Sequence, residues 1–454
     1  MTQNTHAVKD EGLTGIRRLR GFIAALFIIL LIFIGTGTLV NIAVIFKTRR
    51  AEFGAGHDML GKAMQQQNQE ESSERPDDIK TADSKDNRSS RIADSKISRL
   101  LSRIHSYTAV IEKQFRQKLI GSQMFVDEYG RFFRFIGKKT IATPNHSVLR
   151  TEQEFLYLTR FPFECELPPN REQIEPFFGE LKTYLDERQI KFLCMVTLTK
   201  AYPLSFYKSD EDYRENIGLN NICSELKKLG IDYFDCFAEL KNSCGDKEQW
   251  FYRTDHHWNI ESVFKLMPAL VDRLNQDFGF QFPSPDELYR EQNFKSFQFP
   301  KFFLGSIGRK VGKYFVPADD FTYYIPDFPT DFHLDIVTTD YQRQCREGSF
   351  EETIVFDKWI KPKNVWKNRY AVYWGDDYPE CDILNKDAVS GRALVVKDSS
   401  SLPVTAFLSL VFKEIKMVDF RFRKEDDKTL YQIIDDYVPD IVIIVQNTNC
   451  YFKQ

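Results

Sequence analysis

The 454-residue sequence predicts an α/β domain with a central parallel sheet, standing behind a single N-terminal transmembrane helix. Three observations predict this. A long uncharged apolar stretch lies near the start of the chain. A polar tract follows it. Short, continuously apolar runs then alternate with amphipathic segments to the C-terminus, the pattern of parallel strands covered by helices on both faces. Aromatics make up 14% of the residues, with 40 Phe, which is enough for a large core. The net charge of -3 offers no basic field to neutralise phosphates and argues against a general nucleic-acid binder.

Residues 1–20 form a short N-terminal tail. Residues 21–46, Gly21 to Phe46, contain no charged side chain and at helical rise are long enough to cross a bilayer. The run is too long for a signal-peptide core. Lys9, Arg17, Arg18 and Arg20 precede it and Lys47, Arg49 and Arg50 follow it, so the flanking charge is nearly balanced. We take the N-terminus as cytoplasmic, partly on the resemblance given below. The expected product is a single-pass protein of the cell membrane with an extracytoplasmic C-terminal bulk.

Residues 47–96 include "QQQNQEESSERPDDIKTADSKDNRSS" and cannot bury a core, so they read as a polar, disordered stalk. Residues 97–120 carry Ile97, Leu100, Leu101 and Ile104 at helical spacing and read as a helical linker. The folded domain is expected over 121–454. It opens with "MFVDEYGRFFRFIG", which predicts a strand, a turn at Tyr129–Gly130 and a second strand. Helices are then expected over 171–189 and most of 210–230, with strands over 192–199 and 231–236. Strands over 393–397, 415–420 and 440–445 alternate with helices near 403–412 and 427–436. Between about 280 and 370 the alternation fails. This segment is rich in aromatics, Pro and Gly and reads as an irregular or β-rich insertion, either a wall of a substrate groove or a structural flap.

None of the eight cysteines forms a C-x-x-C pair, which disfavours a zinc cluster. Outside the membrane one or two disulfides can form, and Cys236–Cys244 is the natural local pair. Cys194 lies in an apolar run and reads as a small buried hydrophobe.

The chain has seven histidines, and two of them are adjacent, in "FYRTDHHWNI". In an extended segment Asp255 and His257 project to one side and His256 points away. A carboxylate beside an imidazole holds its tautomer and stabilises its protonated form, as a general base requires. Asn259 and Glu261 open a helix, so the motif lies on a loop feeding a helix. Trp258 reads as a packing anchor and Arg253 as a surface or supporting residue.

A base needs a nucleophile. The strand "ALVVK" ends in Asp398, Ser399, Ser400 and Ser401, before a helix near Pro403. Ser399 then stands at the carboxyl end of a parallel strand, where α/β sheets bind ligands. The N–H groups of the following helix could receive an oxyanion. Alone, the serines read as a helix cap and the "DHH" as a metal ligand set. His6, His57, His105, His146 and His333 are scattered, so no second cluster supports a metal, and no metal or cofactor is assigned. Lys200 ends a strand and faces either solvent or the same sheet edge.

"YRTDHHWNIESV" resembles the signature of the DHHW proteins, relatives of the SGNH hydrolases and of periplasmic alginate O-acetyltransferases. "ALVVKDSSSLPVTAFLSLVFKEIKMVDFR" resembles the serine block of that family, which closes on Asp419-Phe420-Arg421, and residues 303–326 resemble its connecting region. The resemblance covers about residues 120 to 450. It implies an SGNH-like three-layer sandwich and a Ser–His–Asp triad, with Asp255 orienting, His257 as base and Ser399 as nucleophile. Where the family often has an aromatic after the serine, this chain has Ser400, so the nucleophile is Ser399 or Ser400. Gly375 and Gly305 are candidates for the oxyanion block, and Ser400 and Lys200 for substrate or oxyanion contact. The implied function is O-acyl (acetyl) transfer or ester hydrolysis on a cell-surface polysaccharide, with a membrane-bound acyl exporter as donor partner. Two other classes remain open: a non-catalytic glycan-binding or polysaccharide-assembly component, and a metal-dependent hydrolase using Asp255, His256 and His257.

Overall fold

A computed structural model describes residues 122–446, apart from 144–145, 160–170, 199, 201–208, 210–213, 215–217, 245–246 and 425. The expected tail, transmembrane helix, stalk and helical linker lie outside the described residues. No helix among the described residues is long and apolar enough to cross a membrane.

The domain begins with helix α1 (Ser122–Phe135), where the sequence predicts a hairpin. The Tyr129–Gly130 signal is overridden by packing. Gly130 is buried against the chain near Val311, where a Cβ would come within 2.0 Å of the Val311 carbonyl. Glycine permits this close approach inside a helix, so its presence does not mark a turn. Asp127 of the same helix accepts a hydrogen bond from the Lys313 N–H. Strands β1 (Thr140–Ala142), β2 (Ser147–Arg150) and β3 (Leu156–Thr159) follow as a small antiparallel sheet.

The main sheet has eight strands. Its chain-order members are β4 (Lys191–Val196), β5 (Asp232–Asp235), then, after the β6 (Phe294–Phe303) and β7 (Asp319–Pro326) hairpin, β8 (Phe332–Val337), β9 (Arg343–Gly348), β10 (Glu380–Asn385), β11 (Arg392–Lys397), β12 (Glu414–Val418) and β13 (Ile441–Gln446). Their spatial order is β5-β4-β13-β11-β12-β10-β8-β9. The first five pair in parallel, as expected. The last three are antiparallel, so the sheet is mixed rather than wholly parallel. Every residue of β13, and all but the first of β4 and β11, are buried. A strand buried on both faces needs no polar alternation, which is why these read as continuous apolar runs.

Helices α2 (Arg171–Asp186) and α3 (Leu219–Lys228) pack together, as do α4 (Cys236–Ser243), α5 (Ile260–Phe278) and α6 (Leu402–Leu408); α7 (Leu430–Tyr437) precedes β13. Asn259 caps α5 by accepting the Ser262 N–H at 2.8 Å. Cys236 and Cys244 are both free, contrary to expectation. Helix α4 runs between them, and eight residues at helical rise put roughly 12 Å between positions that a disulfide needs within about 7 Å. Cys194 is buried, as its apolar context suggests.

The insertion over 280–370 is β-rich. Its β6–β7 hairpin lays Tyr324 flat on Phe264 of α5, with ring centroids 4.5 Å apart. Phe294, Phe303 and Phe321 are buried in the main core. The aromatic richness thus serves packing, while β8 and β9 extend the main sheet.

Candidate active site

The segment Phe251–Trp258 forms a closed loop. Phe251 and Trp258 pair as an isolated bridge, the Tyr252 N–H donates to the His257 carbonyl at 3.3 Å, and the Asn259 N–H to that of Trp250 at 2.9 Å. Bends fill the interval, so side chains do not alternate as in a strand. His256 therefore does not point away. Its ring lies over that of His257, with centroids 3.7 Å apart, and it is the exposed member of the pair.

Asp255 is 1% exposed. Its Oδ2 lies 3.0 Å from His257 Nδ1, and His257 Nε2 lies 2.9 Å from Ser399 Oγ. Three residues of the expected triad thus form one continuous hydrogen-bonded chain. The other carboxylate oxygen, Oδ1, accepts from the Ser306 N–H at 2.9 Å and from its hydroxyl. His256 Nδ1 meets the same hydroxyl at 2.7 Å. Asp255, His256 and His257 stand close enough to share an ion. In the structure, however, both carboxylate oxygens of Asp255 accept hydrogen bonds and both ring nitrogens of His257 are engaged, which suits a triad better than a ligand set.

Burial raises the carboxyl pKa of Asp255, but the imidazoles of His257 and His256 and their hydrogen bonds outweigh it and hold Asp255 well below the usual range. Burial pushes His257 below its ordinary value and the neighbouring His256 adds to this, against the opposing pull of Asp255. His257 is accordingly a neutral base at pH 7, with Asp255 ionised beside it.

The loop is held from several sides. The Lys200 ammonium, buried, donates to the carbonyls of Tyr252, Arg253 and Asp255 at 2.6, 2.8 and 2.9 Å. Asp319 accepts from the N–H groups of Arg253 and Thr254 at 2.7 and 2.8 Å. Gly305 packs directly on Asp255, where a Cβ would come within 2.3 Å of the Asp255 Cβ. The His257 ring stacks on Tyr370 at 4.0 Å and 10°. Trp258 is buried, and its indole N–H donates to the Ser400 carbonyl at 2.9 Å, tying this loop to the serine turn.

Ser399 opens a short helical turn, Ser399–Ser401, at the carboxyl end of β11, between β13 and β12. Asp398 caps the turn by accepting the Ser400 N–H at 2.7 Å. Ser400 is itself buried, and its carbonyl is held by Trp258. It is Ser399 that reaches His257. Behind it Lys397 is buried, its ammonium 2.7 Å from Asp377 and 3.3 Å from Asp419, while Arg421 grips Asp419. This network fastens the strand ends beside Ser399.

The expected oxyanion residues have other tasks. The Gly305 N–H donates to Thr254 Oγ1 at 2.7 Å, that of Gly375 to the Ala371 carbonyl at 3.2 Å, and that of Ser400 to Asp398. The Ser399 N–H has no hydrogen-bond partner among the described residues. Lys200 lies beneath the Asp255 loop as a support. Ser306, Asp319 and Tyr370 also hold the triad, yet all three come from the insertion or its edge. Ser306, beside the oxyanion candidate Gly305, and Asp319 lie in the stretch 303–326 already likened to the connecting region, but only the tertiary fold brings Ser306 to Asp255, Asp319 to the Arg253 and Thr254 backbone and Tyr370 to the His257 ring.

No family model matches the sequence, and no curated protein matches it significantly. Solved structures do. Bacillus cereus PatB1 with a sulfonyl adduct aligns with a TM-score of 0.53 at 20% identity, covering 69% of this chain and 96% of that one. A DHHW family protein from Eubacterium siraeum DSM 15702 aligns with a TM-score of 0.50 at 20% identity, over 68% of this chain and 93% of that one. The O-acetyltransferase domain of Pseudomonas putida AlgJ aligns at 11% identity and a TM-score of 0.38, over 67% of this chain and 91% of that one. The likeness read from "YRTDHHWNIESV" is borne out in a mixed α/β fold that this chain shares with DHHW proteins.

Proposed function

We propose that the chain is a membrane-anchored, extracytoplasmic serine acyltransferase or esterase, built on an SGNH-like three-layer domain, that moves acetyl groups on a cell-surface polysaccharide. The observation that carries the reading is the hydrogen-bonded chain Asp255–His257–Ser399 at the carboxyl edge of the parallel strands. Ser399 Oγ attacks the acyl carbonyl as its proton passes to His257 Nε2, and Asp255 stabilises the imidazolium. The Ser399 N–H meets the developing oxyanion. His257 returns the proton to the leaving group, and a sugar hydroxyl or water then takes the acyl group. A membrane-bound exporter would supply that acyl group. The adduct on PatB1 supports the reading, since sulfonyl reagents capture activated nucleophiles.

A second reading is a glycan-binding component of polysaccharide assembly. The commitment of the Gly305, Gly375 and Ser400 N–H groups elsewhere favours it, since an oxyanion would find few donors. Treating the purified full-length chain with a sulfonyl fluoride and mapping the adduct by mass spectrometry separates the two. The acyltransferase reading expects a stoichiometric adduct on Ser399 that is lost in His257→Ala. A folded chain that takes up no adduct supports the binding component.

A further inference from the structure

Asp255 serves two imidazoles. Its Oδ2 meets His257 Nδ1 at 3.0 Å, while its Oδ1 lies 3.2 Å from His256 Nδ1 and accepts from the Ser306 hydroxyl. An ionised carboxylate only accepts hydrogen bonds, so the single Ser306 hydroxyl proton is spent on Asp255. Ser306 Oγ is then the acceptor for a proton on His256 Nδ1, 2.7 Å away. In its neutral form His256 is thus held as the Nδ1–H tautomer, and Nε2 carries the lone pair. That Nε2 has no partner among the described residues, and the side chain is 46% exposed against 9% for His257.

Building on the acyltransferase reading, we propose that His256 Nε2 binds the acyl acceptor, and that the two histidines together select a sugar with two adjacent hydroxyls. The geometry sets the pair side by side. Both rings are anchored through Nδ1 on one carboxylate, and their centroids lie 3.7 Å apart with planes 38° from parallel. In an imidazole the second nitrogen lies across the ring from the first, so both Nε2 atoms project away from Asp255 on the same side. His257 Nε2 meets Ser399 Oγ there at 2.9 Å, and His256 Nε2 opens beside it.

The second half of the reaction uses both nitrogens. Once Ser399 carries the acyl group, His257 Nε2 takes the proton of the attacking hydroxyl. That oxygen forms the new bond to the acyl carbon, the bond from Ser399 Oγ to that carbon breaks, and the proton passes from His257 to Ser399 Oγ. His256 takes no proton. Its Nε2 accepts a hydrogen bond from the neighbouring hydroxyl of the same sugar, which holds the attacking oxygen in line. Adjacent hydroxyls can each reach one nitrogen at about 2.7–3.2 Å, whereas water or a lone hydroxyl fills one position only. Ser306 is the positioning residue that keeps the His256 lone pair on the acceptor side.

An acceptor competition tests the assignment. The full-length chain is given a small activated acetyl ester with equal amounts of cis-1,2-cyclohexanediol and trans-1,4-cyclohexanediol, and the two monoacetates are quantified. Both probes carry two hydroxyls, but only the first places them side by side. Because the product ratio is internal to each sample, it does not depend on how much of a variant is folded. The expected result is a 1,2-over-1,4 preference that falls about 2- to 12-fold in His256→Ala, the worth of one hydrogen bond. Ser306→Ala lowers the same ratio less far, and Ser306→Thr, which restores the hydroxyl, recovers it. A wild-type chain that forms the acetyl-enzyme on Ser399 but shows the same ratio as His256→Ala overturns this assignment alone. A wild-type chain that forms no acetyl-enzyme overturns the acyltransferase reading and this assignment with it. An unchanged ratio in Ser306→Ala overturns the positioning role of Ser306.

Discussion

The parallel centre and the antiparallel edge of the main sheet bury their strands differently. β13 is buried at every residue, whereas β10 and β8 bury only alternate residues and β9 buries none. In the parallel part, both faces are covered, and chemistry is confined to the loops at the carboxyl ends, where Ser399 meets His257. At the antiparallel edge one face stays polar, so a cluster such as His333, Asp335 and Cys345 can stand on the strands themselves. Depth of burial decides where polar groups can gather: at strand ends in a doubly covered sheet, along the strands at an edge.

Five changes break or sharpen that comparison. The largest effect is expected for Ser399→Ala, which lowers ester turnover by about a thousandfold or more, measured as kcat/KM. The next falls on the buried strands. Ile443→Ala on β13, at 0% exposure, costs about 2–5 kcal/mol of unfolding free energy. Gln344→Ala on exposed β9 stays within about 0.5 kcal/mol in the same denaturant titration. Equal losses at the two positions would end the distinction between the centre and the edge of the sheet.

Gly305→Ala tests whether the insertion holds the triad. The new Cβ collides with Asp255, and a displacement of about 1 Å there lowers kcat/KM roughly a hundredfold. Wild-type activity in this variant would place Asp255 outside the working machinery. The smallest effect is on pH dependence. His257 titrates below its ordinary value through burial and the nearby His256 charge. Activity therefore falls as pH drops through a value below 6.5, when His257 takes up its proton. His256→Gln removes one lowering influence, so the acid limb of kcat/KM against pH moves up. A downward shift contradicts the assignment of His257 as base.

Much of this was legible in the sequence. The parallel strands stood out because two-sided burial writes an unbroken apolar run, and the helix after Asn259 because its cap is local. Asp255, His257 and Ser399 were legible because they lie in two short motifs. The α1 helix was not. Gly130 carries a turn signal locally, and only its packing against Val311 explains a glycine within a helix. The disulfide expectation failed for the same kind of reason, since sequence spacing does not show that a helix separates Cys236 from Cys244. Ser306, Asp319 and Tyr370 serve the site from distant positions in a region whose aromatic composition points mainly to packing.

The most direct measurement is release of acetate from a small activated acetyl ester by the wild-type chain and by Ser399→Ala, Ser400→Ala and His257→Ala. The account predicts activity that is lost in Ser399→Ala and His257→Ala and kept in Ser400→Ala. Activity that survives Ser399→Ala, or a folded wild-type chain with none above background, would contradict it.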